Sequence, residues 1–207
     1  MNWNQRYLED NTPWDLGGPA LPLQELLDDG AFPVVEGGRV LVPGAGRGHC
    51  ALHLARLGYD VDALDVADRA VELASESAVE LGLEERARFH MANLFEVPGA
   101  ALPEFAGAFD GVYELTCYCA IEPEQRAAYV DFAAACLRPG GVWVGLLFPL
   151  WDREGGPPYR IDEQELQDLM TQRGLVFEGR RVPTRSSERR EGFEAFAFYR
   201  KPAVAEA

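Results

Sequence analysis

Residues 40–68 read VLVPGAGRGHCALHLARLGYDVDALDVAD, and no other stretch constrains the fold of this chain as tightly. A short apolar run meets glycines at positions 44, 46 and 48, a segment of helical pattern follows and closes at Gly58, and a second apolar run ends at Asp65. Strand, glycine turn, helix, strand is a parallel crossover unit, and its right-handed form packs the helix back onto the sheet. Glycine in the turn lets a ligand approach backbone with no Cβ in the way. The helix start behind it offers free N–H groups. The loop therefore reads as a ligand seat at the carboxyl end of the first strand.

The same alternation continues along the chain. Strands are expected at 38–44, 59–65, 87–93, 108–115 and 142–149, with helices at 19–29, 49–58, 66–83, 122–141 and 161–174. Two further strands, 175–182 and 192–201, follow with no helix between them. The expected fold is α/β: a doubly wound, Rossmann-like, seven-stranded and mostly parallel sheet that closes on an antiparallel strand pair. One domain over 1–207 accommodates the pattern, with 1–30 as a lead-in or lid segment.

Charge narrows the partners. Nineteen Lys and Arg stand against 34 Asp and Glu, a formal net charge of −15, which repels nucleic-acid backbones and anionic membranes and leaves a small molecule as the expected partner. The start, MNWNQRYLED, lacks the basic-then-apolar order of a secretory leader, and the run VWVGLLFPLW is too short to span a bilayer, so a cytoplasmic protein is expected. Cys50, Cys117, Cys119 and Cys136 form no CxxC pair and read as reduced, buried thiols. The three histidines have no spacing with a cysteine pair, so no metal site is expected. A monomer or weak dimer is the expected state.

The glycine run Gly44-Ala45-Gly46-Arg47-Gly48 is GxGxG, with His49 where a dinucleotide motif carries its last glycine. That spacing goes with S-adenosylmethionine in class I methyltransferases. A nicotinamide-dependent oxidoreductase stays open as the alternative, although no Tyr-x-x-x-Lys pair accompanies it. Asp65, at the end of the second strand, is placed to accept both ribose hydroxyl protons. Asn93, in MANLF, falls beside the adenine edge, with Leu94 or Phe95 against the ring face. His49 reads as a helix-start residue or as a base, and no catalytic acid or base is assigned.

Several motifs together resemble the thiopurine S-methyltransferase family, and within it the plant-type halide and thiol methyltransferases. They are TPWDLG at 12–17, VLVPGAGRGH at 40–49, ALDVAD at 63–68, FDGVYELTCYCAIEPEQR at 109–126, LRPGG at 137–141, LLFPL at 146–150 and GGPPY at 155–159. The glycine loop and LRPGG are common to many methyltransferases; TPWDLG, the CAI segment and GPPY are more specific. Beyond Tyr159 only the strand pattern matches. The resemblance implies S-adenosylmethionine as cofactor, with Trp14 lining its methionine end and Gly44, Gly46 and Gly48 cradling the methionine part. It places Asp65 at the ribose, Asn93 at the adenine edge and Glu114 near the sulfonium. Two positions depart from the family pattern: Asn93 stands where an acid is usual, and Leu115 where halide- and thiol-methylating relatives carry a tyrosine.

The implied chemistry is methyl transfer to a small soft nucleophile: a thiol, thiopurine, halide or chalcogen species. Opposite charges cancel when an anion attacks a sulfonium, so a dry apolar pocket favours the reaction. Leu115, Tyr118, Phe148, Trp151 and Tyr159 are the expected lining. Arg153, Arg180, Arg181, Arg185, Arg189 and Arg190 form a basic patch able to steer an anion. A catalytically inactive cofactor-binding member is the remaining alternative.

Overall fold

The computed structural model describes residues 1–96 and 103–203. Its strands are β1 (Arg39–Pro43), β2 (Asp60–Asp65), β3 (Ala87–Met91), β4 (Phe109–Leu115), β5 (Leu137–Leu147), β6 (Val176–Arg181) and β7 (Ala195–Arg200). Its helices are α1 (Trp3–Leu8), α2 (Leu21–Asp28), α3 (His49–Arg56), α4 (Asp68–Glu80), α5 (Arg126–Cys136) and α6 (Glu163–Gln172). One sheet holds all seven strands in the order β3-β2-β1-β4-β5-β7-β6. β7 slots between β5 and β6 and runs antiparallel to both; β3, β2, β1, β4 and β5 are mutually parallel.

Residues of alternating parity along the central strands serve two cores. Val40, Val42, Val61, Ala63, Tyr113 and Val144 pack with α2 and α3 on one face. Leu41, Leu64, Val112 and Trp143 pack with α5 and α6 on the other. Each such fully buried aliphatic side chain contributes roughly 1.5–3 kcal/mol, so the β1–β4 centre is a rigid base for the loops at its carboxyl end. The connections from β1 run to β2 on one side and those from β4 to β5 on the other. Ligand crevices of open α/β sheets lie at such a switch point.

One element differs from the sequence expectation. The segment 122–141, expected as a helix stopped by Pro139 and two glycines, divides into a 3₁₀ turn at Pro123–Gln125, helix α5, and the start of β5 at Leu137. Arg138 precedes Pro139, which disfavours helical backbone, and Leu137 instead pairs with Phe109, with the register shifting before Val142 meets Gly111. The lead-in ahead of α2, expected as irregular or partly helical, carries one short helix. Its helix α1 packs on α4, and the Asn4 side-chain oxygen accepts from the Arg69 amide at 2.8 Å. That contact caps an α4 terminus whose own flanking residue, Ala67, supplies no side-chain cap. Among the described residues no helix is long and apolar enough to cross a membrane.

Candidate active site

A cavity of about 620 Å³ opens where β1, β2 and β4 end. Its floor is the glycine loop. Gly44 (φ +62°) and Gly46 (φ +57°) both hold left-handed backbone. A Cβ on Gly44 would lie 2.7 Å from the Cβ and 2.8 Å from the Sγ of Cys117; one on Gly46 would lie 2.7 Å from the Tyr7 hydroxyl. Only glycine fits this cradle. Gly48 (φ +77°) does something different: it begins α3, and its missing Cβ makes room for Phe89 and Ala74 rather than for the cavity.

Asp65 closes the floor from β2. Its Oδ2 accepts from the Gly46 amide at 2.8 Å and its Oδ1 from the Ala67 amide at 2.9 Å. Burial raises its pKa, against the pull of the Ala67, Gly46 and Val66 amides. A carboxylate offers about four acceptor sites, so Asp65 retains acceptor capacity toward the cavity after holding the loop. That residual capacity and the Cβ-free cradle fit an adenosyl ligand with vicinal hydroxyls.

The N-terminal segment roofs this floor. Trp14 lines the cavity, donates its ring N–H to the Tyr7 hydroxyl at 3.2 Å, and meets Trp3 and Tyr7 edge-on at 5.3 and 5.8 Å between centroids. The Arg6 guanidinium stacks on Trp14 at 5.2 Å. Burial, with the nearby Asp65 charge, pushes the Tyr7 phenol up to about 12. Ion pairs fasten the roof to the loop: Arg47 bonds Asp10 at 2.6 Å and Asp15 at 2.8 Å, and His49 meets Asp15 at 3.1 Å. His49 thus anchors the roof at the start of α3. The His49 bond heads the causes that hold the Asp15 carboxyl below its usual range.

Asn93, Leu94 and Phe95 line the cavity beyond β3. The Asn93 side chain forms a local turn, accepting from the Phe95 amide at 3.1 Å and donating to Glu96 at 2.9 Å. Leu115, Thr116, Cys117 and Cys119 line the wall after β4, but Glu114 does not. Glu114 is 1% exposed and lies behind that wall. Its Oε1 accepts from the Cys117 and Tyr118 amides at 2.9 and 2.8 Å, and its Oε2 accepts from the Tyr129 hydroxyl at 2.5 Å.

Of the expected acceptor lining, Leu115 and Phe148 face the cavity, whereas Tyr118, Trp151 and Tyr159 do not. Tyr118 is fully buried in the β4–α5 core, stacked beneath the Arg126 guanidinium at 4.8 Å. Trp151 packs behind Phe148 at 5.3 Å and against Phe193 at 4.9 Å. Tyr159 pins its loop from outside, donating its amide to the Cys119 carbonyl at 2.7 Å and its hydroxyl to Glu122; the neighbouring Pro157 and Pro158 reach the cavity instead.

The basic patch divides. Arg180 pairs with Glu163, Arg181 with Glu25 and Asp29, and Arg185 with Asp28. The buried Glu25 carboxylate also takes the Thr184 and Arg185 amides at 2.8 and 2.6 Å. These contacts tie the loop after β6 to α2 and carry Arg189 and Arg190 to the cavity. Arg190 is 6% exposed, stacks on Phe148 at 4.8 Å and donates to the Trp14 carbonyl at 3.2 Å. Sequence reasoning missed Trp3 and Tyr7, although their i, i+4 spacing marks one helix face. It also missed the thiols of Cys50, Cys117 and Cys119 as cavity lining.

Sheet order and crevice together define the class I methyltransferase fold. Solved structures share it: 1,6-didemethyltoxoflavin-N1-methyltransferase of Burkholderia thailandensis has a TM-score of 0.70 at 21% identity, over 96% of this chain and 84% of that one. A TehB-like S-adenosylmethionine-dependent methyltransferase of Corynebacterium glutamicum has a TM-score of 0.67 at 16% identity, over 96% and 97%. Among sequence relatives, the probable thiol methyltransferase 2 and thiocyanate methyltransferase 1 of Arabidopsis thaliana are each 31% identical over 84% of this chain, covering 73% and 72% of their own lengths. A thiopurine S-methyltransferase of Legionella pneumophila is 27% identical over 62% of each chain. The family model described as Thiopurine S-methyltransferase (TPMT) matches residues 1–197, and the chain belongs to that family. It is an S-adenosylmethionine-dependent methyltransferase, which sets the nicotinamide alternative aside.

Proposed function

We propose that the crevice seats S-adenosylmethionine on Gly44, Gly46 and Asp65, under Trp14 and Tyr7, and presents its methyl group to a small, soft, anionic nucleophile. The adenine end lies along Asn93, Leu94 and Phe95. Held there, the cofactor supplies an electrophilic methyl group on a sulfonium. The acceptor enters between Leu115, Phe148, Pro157 and Pro158, whose apolar surfaces exclude water from the attacking atom.

The observation that carries this reading is Arg190. It is a buried cavity-lining cation with no carboxylate in direct ion-pair contact among the described residues; the buried Glu194 carboxyl feels its charge from further off, in a chain of net charge −15. A guanidinium so placed attracts an anion and keeps a thiol acceptor in its reactive thiolate form. The protein's own cavity thiols are held neutral. Burial pushes Cys50 up to about 11, Cys119 to about 12 and Cys117 well above its usual value, so none competes as a nucleophile at neutral pH.

The whole chain acts as one methyltransferase domain, its first thirty residues forming the roof. Four buried, unpaired cysteines favour a reducing, cytoplasmic setting, and the acidic surface favours a monomer or weak dimer. Transfer of a labelled methyl group to a panel of thiols, thiopurines, halides, and selenium and tellurium oxyanions tests the activity. Soft anions should be methylated and neutral alcohols should not. Tight binding of S-adenosylhomocysteine with no transfer to any of them would instead mark an inactive member.

A further inference from the structure

Glu114 stands in an unusual place for a carboxylate. It is buried at the end of β4, directly behind Leu115, Thr116 and Cys117, all of which line the cavity. Its hydrogen bonds suit the ionised form. Two amides reach Oε1, the Tyr129 hydroxyl reaches Oε2, and Tyr129 in turn accepts from the Trp143 ring N–H at 3.4 Å. A protonated carboxyl would have to donate to the Tyr129 oxygen and turn that hydroxyl's own hydrogen away. These bonds also hold the wall in shape. Thr116 keeps a left-handed φ of +59°, uncommon for a non-glycine residue, and Cys117 presses against Gly44.

No arginine, lysine or histidine neutralises Glu114 among the described residues. A buried carboxylate without a counter-charge attracts any cation brought to the other side of its wall. The methyl donor is a sulfonium cation; the product left after transfer is a neutral thioether. We propose that Glu114 gives the cavity its preference for the charged donor over the neutral product, acting from behind Thr116 and Cys117. The inference rests on the crevice being the cofactor seat.

Burial pushes the Glu114 carboxyl up to about 7, so its charge develops across neutral pH. The other titratable groups facing it are Tyr113 on β4, Cys117, Tyr118 and Cys119 on the following loop, and Tyr129 on α5. Burial raises all of them far enough to keep them neutral in that range.

Calorimetric affinities for S-adenosylmethionine and S-adenosylhomocysteine, compared on the wild-type protein between about pH 6 and about pH 8, test this. The two ligands share adenine, ribose, carboxylate and amine, so the ratio of their affinities isolates the charge on sulfur. The ratio should move toward the sulfonium by about fivefold or more as pH rises. In Glu114→Gln, which keeps the side-chain shape, it should stay at the low-pH value throughout. A wild-type ratio flat in pH, or a Glu114→Gln ratio that still rises, would overturn the inference. If the variant does not fold, a wild-type ratio flat in pH still overturns the inference. Failure of both ligands to bind the wild type would overturn the cofactor seat itself, and the inference with it.

Discussion

The Asp65 carboxylate holds the Gly46 amide at 2.8 Å, so the end of β2 fixes the shape of the loop that ends β1. One side chain thereby joins the two strands flanking the crevice, which it also lines. Asp65→Ala removes both functions. Its affinity for S-adenosylhomocysteine should fall by about 1.5–3 kcal/mol, the scale of hydrogen bonds to a charged group. Isothermal titration of the variant checks this, and an unchanged affinity would take Asp65 out of the seat.

The Gly46–Tyr7 contact predicts a non-additive pair. Gly46→Ala brings a Cβ to 2.7 Å from the Tyr7 hydroxyl and 3.8 Å from its Cζ. Tyr7→Phe removes the atom that clashes and leaves an ordinary contact. Gly46→Ala should therefore weaken cofactor binding more in the wild type than in the Tyr7→Phe background, with a coupling of about 1 kcal/mol. The left-handed backbone at residue 46 keeps a residual cost in both. Equal losses in the two backgrounds would show that the roof does not touch the loop.

Arg190→Gln leaves the Phe148 face in place and removes the charge. The KM for an anionic acceptor should rise about tenfold or more, with affinity for S-adenosylhomocysteine little changed. The loss should shrink at high salt if steering dominates and persist if direct contact does. Steady-state kinetics with the best acceptor of the panel, at two ionic strengths, gives both results.

Asp62 stabilises the other end of β2. Its carboxylate is 1% exposed and bonds Arg39 at 2.9 Å, Arg88 at 3.0 Å and His90 at 2.9 Å. Burial opposes ionisation, but the bonds from His90, Arg88 and Arg39 outweigh it and hold the group far below the usual carboxylate range. The unfolded chain therefore binds this proton more readily than the native one. The stability from Asp62 is complete above the ordinary carboxyl value of 3.8 and is lost as pH falls below it. Asp62→Asn should destabilise the fold by about 3 kcal/mol at neutral pH and flatten its acid unfolding, read by thermal melts across pH.

Glu114 has the opposite sign. Burial pushes its native carboxyl up to about 7 from the ordinary 4.5, so between those values the native chain holds a proton that the unfolded chain has lost. Its contribution falls as pH rises through that window, by about 3 kcal/mol in total. Melts of the ligand-free wild type against Glu114→Gln should diverge over that interval and nowhere above it.

Much of the fold was legible in the chain because the apolar runs and glycine stops repeat with a regular strand–helix period. The positions of the glycine loop and Asp65 at the strand ends were legible for the same reason: their geometry is local to one crossover unit. The acceptor end was not. Tyr118, Trp151 and Tyr159 lie in motif segments, yet which side of a loop an aromatic faces is set by contacts remote in sequence, such as Arg126 over Tyr118 and Phe193 against Trp151. Arg190 belonged to a visible basic patch. What separates it from the others is the pairing of Arg180, Arg181 and Arg185 with acids on α2 and α6, and its own burial, which Arg153 and Arg189 do not share. Glu114 was placed correctly at the end of β4, while its orientation behind the wall depends on Tyr129, fifteen residues further along.

The most direct test of the central claim is a crystal structure with S-adenosylhomocysteine. Both ribose hydroxyls should lie within about 3 Å of the Asp65 carboxylate, with the methionine portion over Gly44 and Gly46 and under Trp14. A ligand bound away from the ends of β1 and β2, or in the crevice with Asp65 turned from its sugar, would contradict the account.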